Sequence, residues 1–324
     1  MAIGKKILIT GATGFIGANL VRAFMKEGAE IHILTRESSN RWRISDILCN
    51  LKEYCVDLAN YGTLEKTISD IRPDIIFHNA VYGGFTYQDD FDRIFATNLF
   101  GTVNLIRACM KIDFELFVNA GSSSEYGIKR GPIKEVDIPE PVSDYGVCKA
   151  LSTIYCQIQS RSKNLPVVSF RFFSPYGYYE EKRRLIPSVI LSCLKNKPPL
   201  LSSPKPVRDF IFIDDIVRIY EKAIENRDKI GGEIFNVGCG MHYSVEDVVN
   251  KIVYLTGNKV KPAWNSLPNP RIEPEIWMAD ISKAEDMLKW HPQCSLENGL
   301  HKTLIWFKEN SSIYEDRIAG GNVL

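Results

Sequence analysis

Tyr145 and Lys149 stand four residues apart in Tyr145-Gly146-Val147-Cys148-Lys149, at the start of a segment with helical spacing. Positions i and i+4 share one helical face, so a phenol and an ammonium can point into one site. A free tyrosine titrates near about 10. A cation about 5 Å away, at an effective dielectric of about 20, favours the phenolate by roughly 3 kcal/mol, or about two pKa units. Tyr145 so placed can serve as a general acid or base near neutral pH. A Tyr-xxx-Lys pair alone says little, because helices contain many. It gains weight from Asn119-Ala120-Gly121-Ser122-Ser123-Ser124-Glu125-Tyr126-Gly127, which follows a strand-like run. A Ser122 hydroxyl at the carboxyl end of a strand can hold a reacting hydroxyl and share its proton with Tyr145. The plainer reading of such residues is turn formation, and Ser124 and Glu125 carry no assignment.

A third motif lies near the start of the chain: Gly11-Ala12-Thr13-Gly14-Phe15-Ile16-Gly17. It follows an apolar run, Lys6–Thr10, and opens a helical pattern. The glycines are spaced three and three, not two and three as in the familiar dinucleotide fingerprint. Gly11 permits a tight turn, Gly14 lets backbone N–H groups approach a pyrophosphate, and Gly17 lets the helix pack closely on the strand. An NAD reader places an acid at the end of the second strand; an NADP reader places an Arg nearby. Here Leu34-Thr35-Arg36-Glu37-Ser38-Ser39-Asn40-Arg41 puts Thr35 where the acid would be. Arg36, Ser38 and Arg41 are suited to a 2′-phosphate. NADP is therefore favoured slightly over NAD.

The elements that position these groups alternate. Strand-like runs at Lys6–Thr10, Glu30–Leu34, Tyr54–Val56, Asp74–Phe77, Glu115–Asn119 and Val167–Phe170 are separated by helix patterns at Ile16–Glu27, Thr63–Ile71, Asp92–Met110 and Tyr145–Ser162. Such alternation implies a doubly wound parallel sheet. After residue 174 prolines crowd the chain. A strand-like Phe210–Ile213, a helix from about Asp214 and a strand-like Glu233–Val237 follow. Ser244-Val245-Glu246-Asp247 and Ser282-Lys283-Ala284-Glu285 read as capping boxes. The expected division is a dinucleotide-binding unit of residues 1–174 joined by 208–240, a smaller substrate lobe of 175–207 and 241–310, and a tail of 311–324.

Composition excludes several classes. With 45% hydrophobic and 24% charged residues and a net charge of +1, no basic excess points to nucleic acid. No apolar run approaches the roughly 18 residues a membrane span needs. The first residues carry no secretory pattern, and a cytoplasmic location is expected. None of the eight cysteines shows CxxC spacing or a His cluster, so no metal is expected. Their scatter through apolar segments suggests buried, reduced thiols.

GATGFIG, the Ser-rich strand end finishing in Tyr-Gly, and YGVCK together resemble the extended short-chain dehydrogenase/reductase family of sugar-nucleotide epimerases, dehydratases and reductases. Later segments extend the likeness over residues 5 to 308: Arg171-Phe172-Phe173-Ser174-Pro175-Tyr176-Gly177, Arg184-Leu185-Ile186-Pro187, Arg208-Asp209-Phe210-Ile211-Phe212-Ile213-Asp214-Asp215, and Ala279-Asp280-Ile281-Ser282-Lys283-Ala284. The resemblance implies a Rossmann sheet with a C-terminal substrate-binding lobe. It implies Ser122, Tyr145 and Lys149 as the catalytic triad, with Lys149 also touching the cofactor. Gly11, Thr13, Gly14, Phe15, Ile16, Gly17, Arg36, Asp57, Leu58, Ala80 and Val81 would hold the dinucleotide. Ser122, Ser123 and Ser174 would contact the sugar, and Arg208 and Arg271 would grip a diphosphate. Bidentate guanidinium contacts suit that group on physical grounds as well.

The family's 4,6-dehydratases commonly carry an acidic pair directly after the catalytic Ser or Thr. Those positions are Ser123 and Ser124 here. Glu125 falls one residue late and, by the alternation of extended segments, would turn elsewhere; a one-residue shift would bring it back to the site. Dehydratase is thus demoted rather than excluded. The expected activity is epimerisation of a nucleotide-diphosphate sugar, with C4 as the expected carbon, by hydride transfer through a 4-keto intermediate. The alternatives are an NADPH-dependent 4-keto-sugar reductase, a C4 dehydrogenase and a non-catalytic dinucleotide sensor. Apolar residues on a second face of the two long helices (Leu99, Val103, Ile106; Leu151, Ile154, Ile158) suggest a homodimer.

Overall fold

The computed structural model describes residues 2–257, 259–268 and 276–314. Seven parallel strands form the main sheet: β1 (Lys6–Thr10), β2 (Glu30–Thr35), β3 (Lys52–Cys55), β4 (Ile75–His78), β5 (Leu116–Ser122), β6 (Val167–Phe172) and, later in the chain, β10 (Ile234–Val237). Their order is β10-β6-β5-β4-β1-β2-β3. The order reverses between β1 and β4, whose registers pair Ile7 with Ile75 and Thr10 with His78. Ligands of doubly wound sheets bind at such a reversal, outside the carboxyl ends of the strands.

Strand alternation divides the core. Ile7 and Ile9 of β1 join Leu116 and Val118 of β5 beneath helices α1 (Phe15–Lys26) and α7 (Ile213–Glu225), where Phe24 and Ile219 are fully buried. Leu8, Ile76 and Phe117 face the opposite layer of α2 (Tyr61–Ile71), α4 (Gly101–Cys109) and α5 (Asp144–Lys163). Only a sheet covered on both faces asks for apolar residues at successive positions.

The predicted helix over 92–110 is interrupted. A short α3 (Phe91–Phe95), capped by the Asp90 side chain, passes through a π-turn at Ala96–Phe100 before α4 begins. Asn98 in that turn is fully buried. Its Nδ2 donates to Tyr82 O at 2.6 Å and to Ile94 O at 2.9 Å, and its Oδ1 accepts from Tyr82 N at 3.2 Å. The extra residue rotates the helix, and Ile106 is buried rather than outward as expected. Phe91, Phe100, Leu151, Ile154 and Ile158 remain exposed.

After β6 the chain leaves the main sheet. β7 (Ser174–Tyr176) pairs with β9 (Phe210–Phe212). A second small sheet, ordered β11-β8-β12, joins β8 (Val207–Arg208), β11 (Tyr243–Ser244) and β12 (Ile276–Trp277). Helices α6 (Leu185–Leu194), α8 (Val245–Thr256) and α10 (Leu296–Asn310) pack on one another beside it. The box predicted at the head of α8 forms: the Ser244 side chain accepts from Asp247 N, and Asp247 accepts from Ser244 N. The box predicted at α9 (Ser282–Leu288) does not. Ser282 is already inside the helix, and Asp280 accepts from its N–H at 3.0 Å instead. The cysteines also differ from expectation. All eight are free, but only Cys109, Cys148, Cys156 and Cys193 are buried; Cys49 sits in a surface turn and Cys55 on the edge strand β3, both exposed. No helix among the described residues is long and apolar enough to cross a membrane.

Candidate active site

The glycine turn lies at the sheet's reversal point, and each glycine answers a different steric demand. Gly11 has φ +67°, and a Cβ there would fall 2.4 Å from Asn79 O. A Cβ on Gly17 would fall 2.2 Å from Gly11 O. Gly14 is the N-cap of α1 and offers no side-chain acceptor, so first-turn N–H groups remain for a ligand. A helix N-terminus in this state suits an anion. The side chains of Phe15 and Ile16 pack on the core, leaving their backbone as what they can present.

A cleft of about 270 Å³ opens over this turn. Thr13 and Gly14 line it from β1, Arg36, Ser38 and Ser39 from the end of β2, Asp57 and Leu58 from β3, and Ala80 and Val81 from β4. These residues fit a dinucleotide: an anion cradle in the middle, and polar and apolar strand ends on either side. Arg36 is half-buried; burial lowers its pKa, and the neighbouring Arg93 charge adds to that effect. Arg41 bonds to groups of the protein itself. Its guanidinium is committed to Glu53, to Ser39 O and to the Thr35 hydroxyl. Thr35 in turn donates to Glu53 at 2.6 Å. Arg43, which no motif marked, also lines the cleft. Its Nε donates to Tyr179 O at 2.6 Å and its Nη1 to Thr13 O at 3.3 Å, tying the glycine turn to the segment after β7.

Ser122 is the last residue of β5, and its Oγ accepts from Ser124 N at 3.1 Å across a 3-10 turn, Ser123–Glu125. Tyr145 is the second residue of α5, whose Ser143 cap accepts from Gly146 N at 3.1 Å. A Cβ on Gly146 would lie 2.6 Å from Ser124 O. The glycine therefore lets the start of α5, which carries Tyr145, rest directly on the turn that follows Ser122. One turn further on, buried Lys149 donates from Nζ to Ala120 O at 2.8 Å. Burial lowers its pKa to about 8, against the pull of the Glu125 carboxylate. From the other side a turn at Gly83 approaches: a Cβ there would meet Tyr145 Cβ at 3.5 Å. Beneath, His78 bridges Thr10 Oγ1 at 2.7 Å and Thr102 Oγ1 at 2.8 Å. Burial, reinforced by Lys149, takes its pKa down to about 3, so it stays neutral.

Glu125 turns away from the site, although not by strand alternation: the segment is a 3-10 turn, not extended. Its Oε1 accepts from Ser122 N at 2.8 Å and Thr153 Oγ1 at 3.1 Å, and its Oε2 accepts from Arg171 Nε at 2.7 Å. Burial pushes the Glu125 carboxyl up, and the Arg171 charge and the Ser122 and Thr153 donors oppose that rise; every partner is a donor, the set that a carboxylate accepts.

The substrate residues are less closely gathered. Ser123 is buried, and Ser174 is half-buried in β7 with its N–H donating to Asp209 O at 3.0 Å. Arg208 is largely buried in β8, its guanidinium 5.4 Å from the Trp277 ring centroid and its Nη1 donating to Val207 O at 2.9 Å. Neither these residues nor Ser122 and Tyr145 line the dinucleotide cleft itself. Arg271 lies outside the described residues. Among the described residues no three His, Cys, Asp or Glu side chains gather as metal ligands would.

Comparison with known proteins agrees with this architecture. An uncharacterised UDP-glucose epimerase of Bacillus subtilis is 30% identical over 319 residues, covering 96% of this chain and 99% of its own. UDP-glucuronate 4-epimerase of Thermodesulfobacterium geofontis is 27% identical, covering 94% and 96%. The crystal structure of UDP-glucuronic acid 4-epimerase from Bacillus cereus, in complex with UDP-glucuronic acid and NAD, superposes with a TM-score of 0.84. It is 29% identical and covers 94% of this chain and 99% of that one. The model of the NAD dependent epimerase/dehydratase family matches residues 7–238, and the chain belongs to that family, within the extended short-chain dehydrogenases/reductases.

Proposed function

We propose that this protein is an NAD(P)-dependent nucleotide-sugar 4-epimerase acting on a UDP-hexose or UDP-hexuronate. The observation that carries the proposal is the seating of the Tyr145–Lys149 helix start on the Ser122 turn, at the carboxyl edge of the strands that bear the glycine cradle. The names of the relatives support UDP as the nucleotide and C4 as the reacting carbon.

A bound nicotinamide dinucleotide supplies the hydride acceptor and donor. The chain's own groups handle the proton. Tyr145 takes it from the sugar C4 hydroxyl while Ser122 holds that oxygen, and Lys149 and the N-terminus of α5 stabilise the phenolate. The 4-keto sugar then turns over, and Tyr145 returns the proton as the opposite face is reduced. Elimination of water across C5 and C6 needs an acid and a base that Ser123 and Ser124 do not supply, and Glu125 is engaged in the interior. Epimerisation therefore leads over dehydration. Arg208 is the proposed diphosphate ligand among the described residues.

A second reading, a 4-keto-sugar reductase using NADPH, is favoured by one feature. The β2 end of the cleft presents Arg36, Ser38 and Ser39, while Thr35 is turned to Glu53. Native mass spectrometry of protein purified without added cofactor separates the two. One NAD+ per subunit, released only on unfolding, is the expected result for an epimerase. An empty protein stabilised by NADPH and not by NADH would select the reductase. Incubation with UDP-glucose or UDP-glucuronate should then yield the C4 epimer by chromatography.

We also propose a homodimer formed through the exposed apolar residues of α3, the π-turn and α5. Light scattering should give twice the 36.8 kDa chain mass. Substituting Ile154 and Ile158 by Asp, each more than 40% exposed, should return the monomer.

A further inference from the structure

Glu125 and Arg171 do no chemistry in the reading above, yet they lie directly behind the groups that do. We propose that Glu125 is a positioning residue, which fastens β5, α5 and β6 together where Ser122 and Lys149 meet and supplies the anion behind the Lys149 ammonium. The inference rests on the proposed roles of Ser122, Tyr145 and Lys149.

Three bonds carry it, each to a different element. The Ser122 N–H fixes the carboxylate to the residue holding the catalytic hydroxyl. The Thr153 hydroxyl fixes it to α5, one turn beyond Lys149. The Arg171 Nε–H fixes it to β6. The backbone leaves room for this arrangement: a Cβ on Gly121 would fall 2.5 Å from Glu125 Oε1. Arg171 is braced on its far side by the Tyr126 ring, 4.4 Å from the guanidinium carbon. Although burial opposes it, the Glu125 carboxylate raises the Arg171 pKa and holds it charged. A buried ion pair that only filled space could give way to apolar residues with little cost. This one ends on the backbone of Ser122.

The groups around Lys149 show why the charge matters. On its own helix stand Tyr145, Cys148 and Cys156; burial raises the two thiols to about 11 and about 12, so both are neutral. From β4 comes neutral His78, and from β5 the Ala120 carbonyl. Glu125 is the carboxylate that acts on the ammonium, and it opposes the loss of that proton.

The test uses the full-length holoprotein. Glu125→Gln leaves Arg171 as an unpaired buried charge and risks misfolding, so the informative variant is Glu125→Gln/Arg171→Met, which removes both charges. Thr153→Val is its companion and cuts only the link to α5. The first readout is the titration of Lys149 by NMR of 13Cε-lysine protein, assigned by the resonance missing from Lys149→Met. Of the two charges removed, Glu125 acts on the Lys149 ammonium and Arg171 is not among the groups that shift it, so the Lys149 midpoint should fall by about 0.5 unit or more in the paired variant. The second is steady-state kinetics with the UDP-sugar that is turned over. The paired variant should lose about tenfold or more in kcat with KM within about twofold of wild type, and Thr153→Val a smaller part of kcat at an unchanged melting temperature. A folded paired variant with the wild-type Lys149 midpoint and full kcat overturns the proposal. Wild-type turnover in Tyr145→Phe would instead overturn the underlying catalytic reading, and the Lys149 titration would still decide the part assigned to Glu125.

Discussion

Replacing Tyr145 by Phe is expected to lower kcat about 10³-fold while leaving dinucleotide affinity within about twofold, a size typical of a lost general acid–base group. The substitution removes one oxygen and keeps the ring. Two contacts that place the start of α5 leave that oxygen out: α5 is capped through Ser143 and Gly146, and Lys149 is held by Ala120 O. Loss of turnover with binding intact therefore reports chemistry rather than folding. Chromatographic assay of sugar interconversion measures the first quantity and calorimetric titration with NAD+ the second. If turnover survives, another group moves the C4 hydroxyl proton, and Ser122 becomes the residue to examine.

Gly17→Ala should be nearly as severe by a different route. The added methyl carbon would sit 2.2 Å from Gly11 O and 2.8 Å from both Gly11 C and Ala12 Cα. All three are backbone atoms, so no side chain can swing aside. Either α1 backs away from β1 or the glycine turn opens. Overpacking of this kind costs about 1–3 kcal/mol, or several degrees in melting temperature for a chain of this size. The larger effect falls on binding, because the N–H groups that face the anion move with the turn; at least about a tenfold loss of NAD affinity is expected. Thermal melts with and without NAD+ measure both. Gly62 provides the control. It lies in the first turn of α2, where a Cβ would meet nothing closer than Asn60 Oδ1 at 4.0 Å, and Gly62→Ala should cost nothing.

The glycine turn, the Tyr145–Lys149 spacing and the order of strands and helices were legible because each is local: a steric demand on a backbone, or a period along one element. Every predicted strand of the main sheet forms, with ends displaced by a few residues at most. What was hidden depends on elements brought together from afar. Arg43 meets Tyr179 across 136 residues, and Glu125 meets Arg171 across 46; no spacing encodes either contact. The start of α9 was misread for a local reason. Ser282 and Glu285 have the pattern of a capping box, but Asp280 stands two residues before Ser282 and takes the N–H first. The bond between Arg41 and Glu53 of β3, twelve residues away, is likewise encoded by no spacing.

The π-turn at Ala96–Phe100 has a consequence for how the site keeps its shape. An α-helix advances about 100° per residue, and a π-turn takes one more residue to close its ring. The rods on either side of it are therefore out of phase by roughly that angle. The later rod, with Leu105 and Cys109, is indexed to the sheet. The earlier rod is indexed, through Asn98, to the backbone of Tyr82 beside the turn that abuts Tyr145. The two rods joined by the π-turn thus serve two frames of reference. The turn that abuts Tyr145 can be set by the phase slip without disturbing the packing of α4 on the sheet.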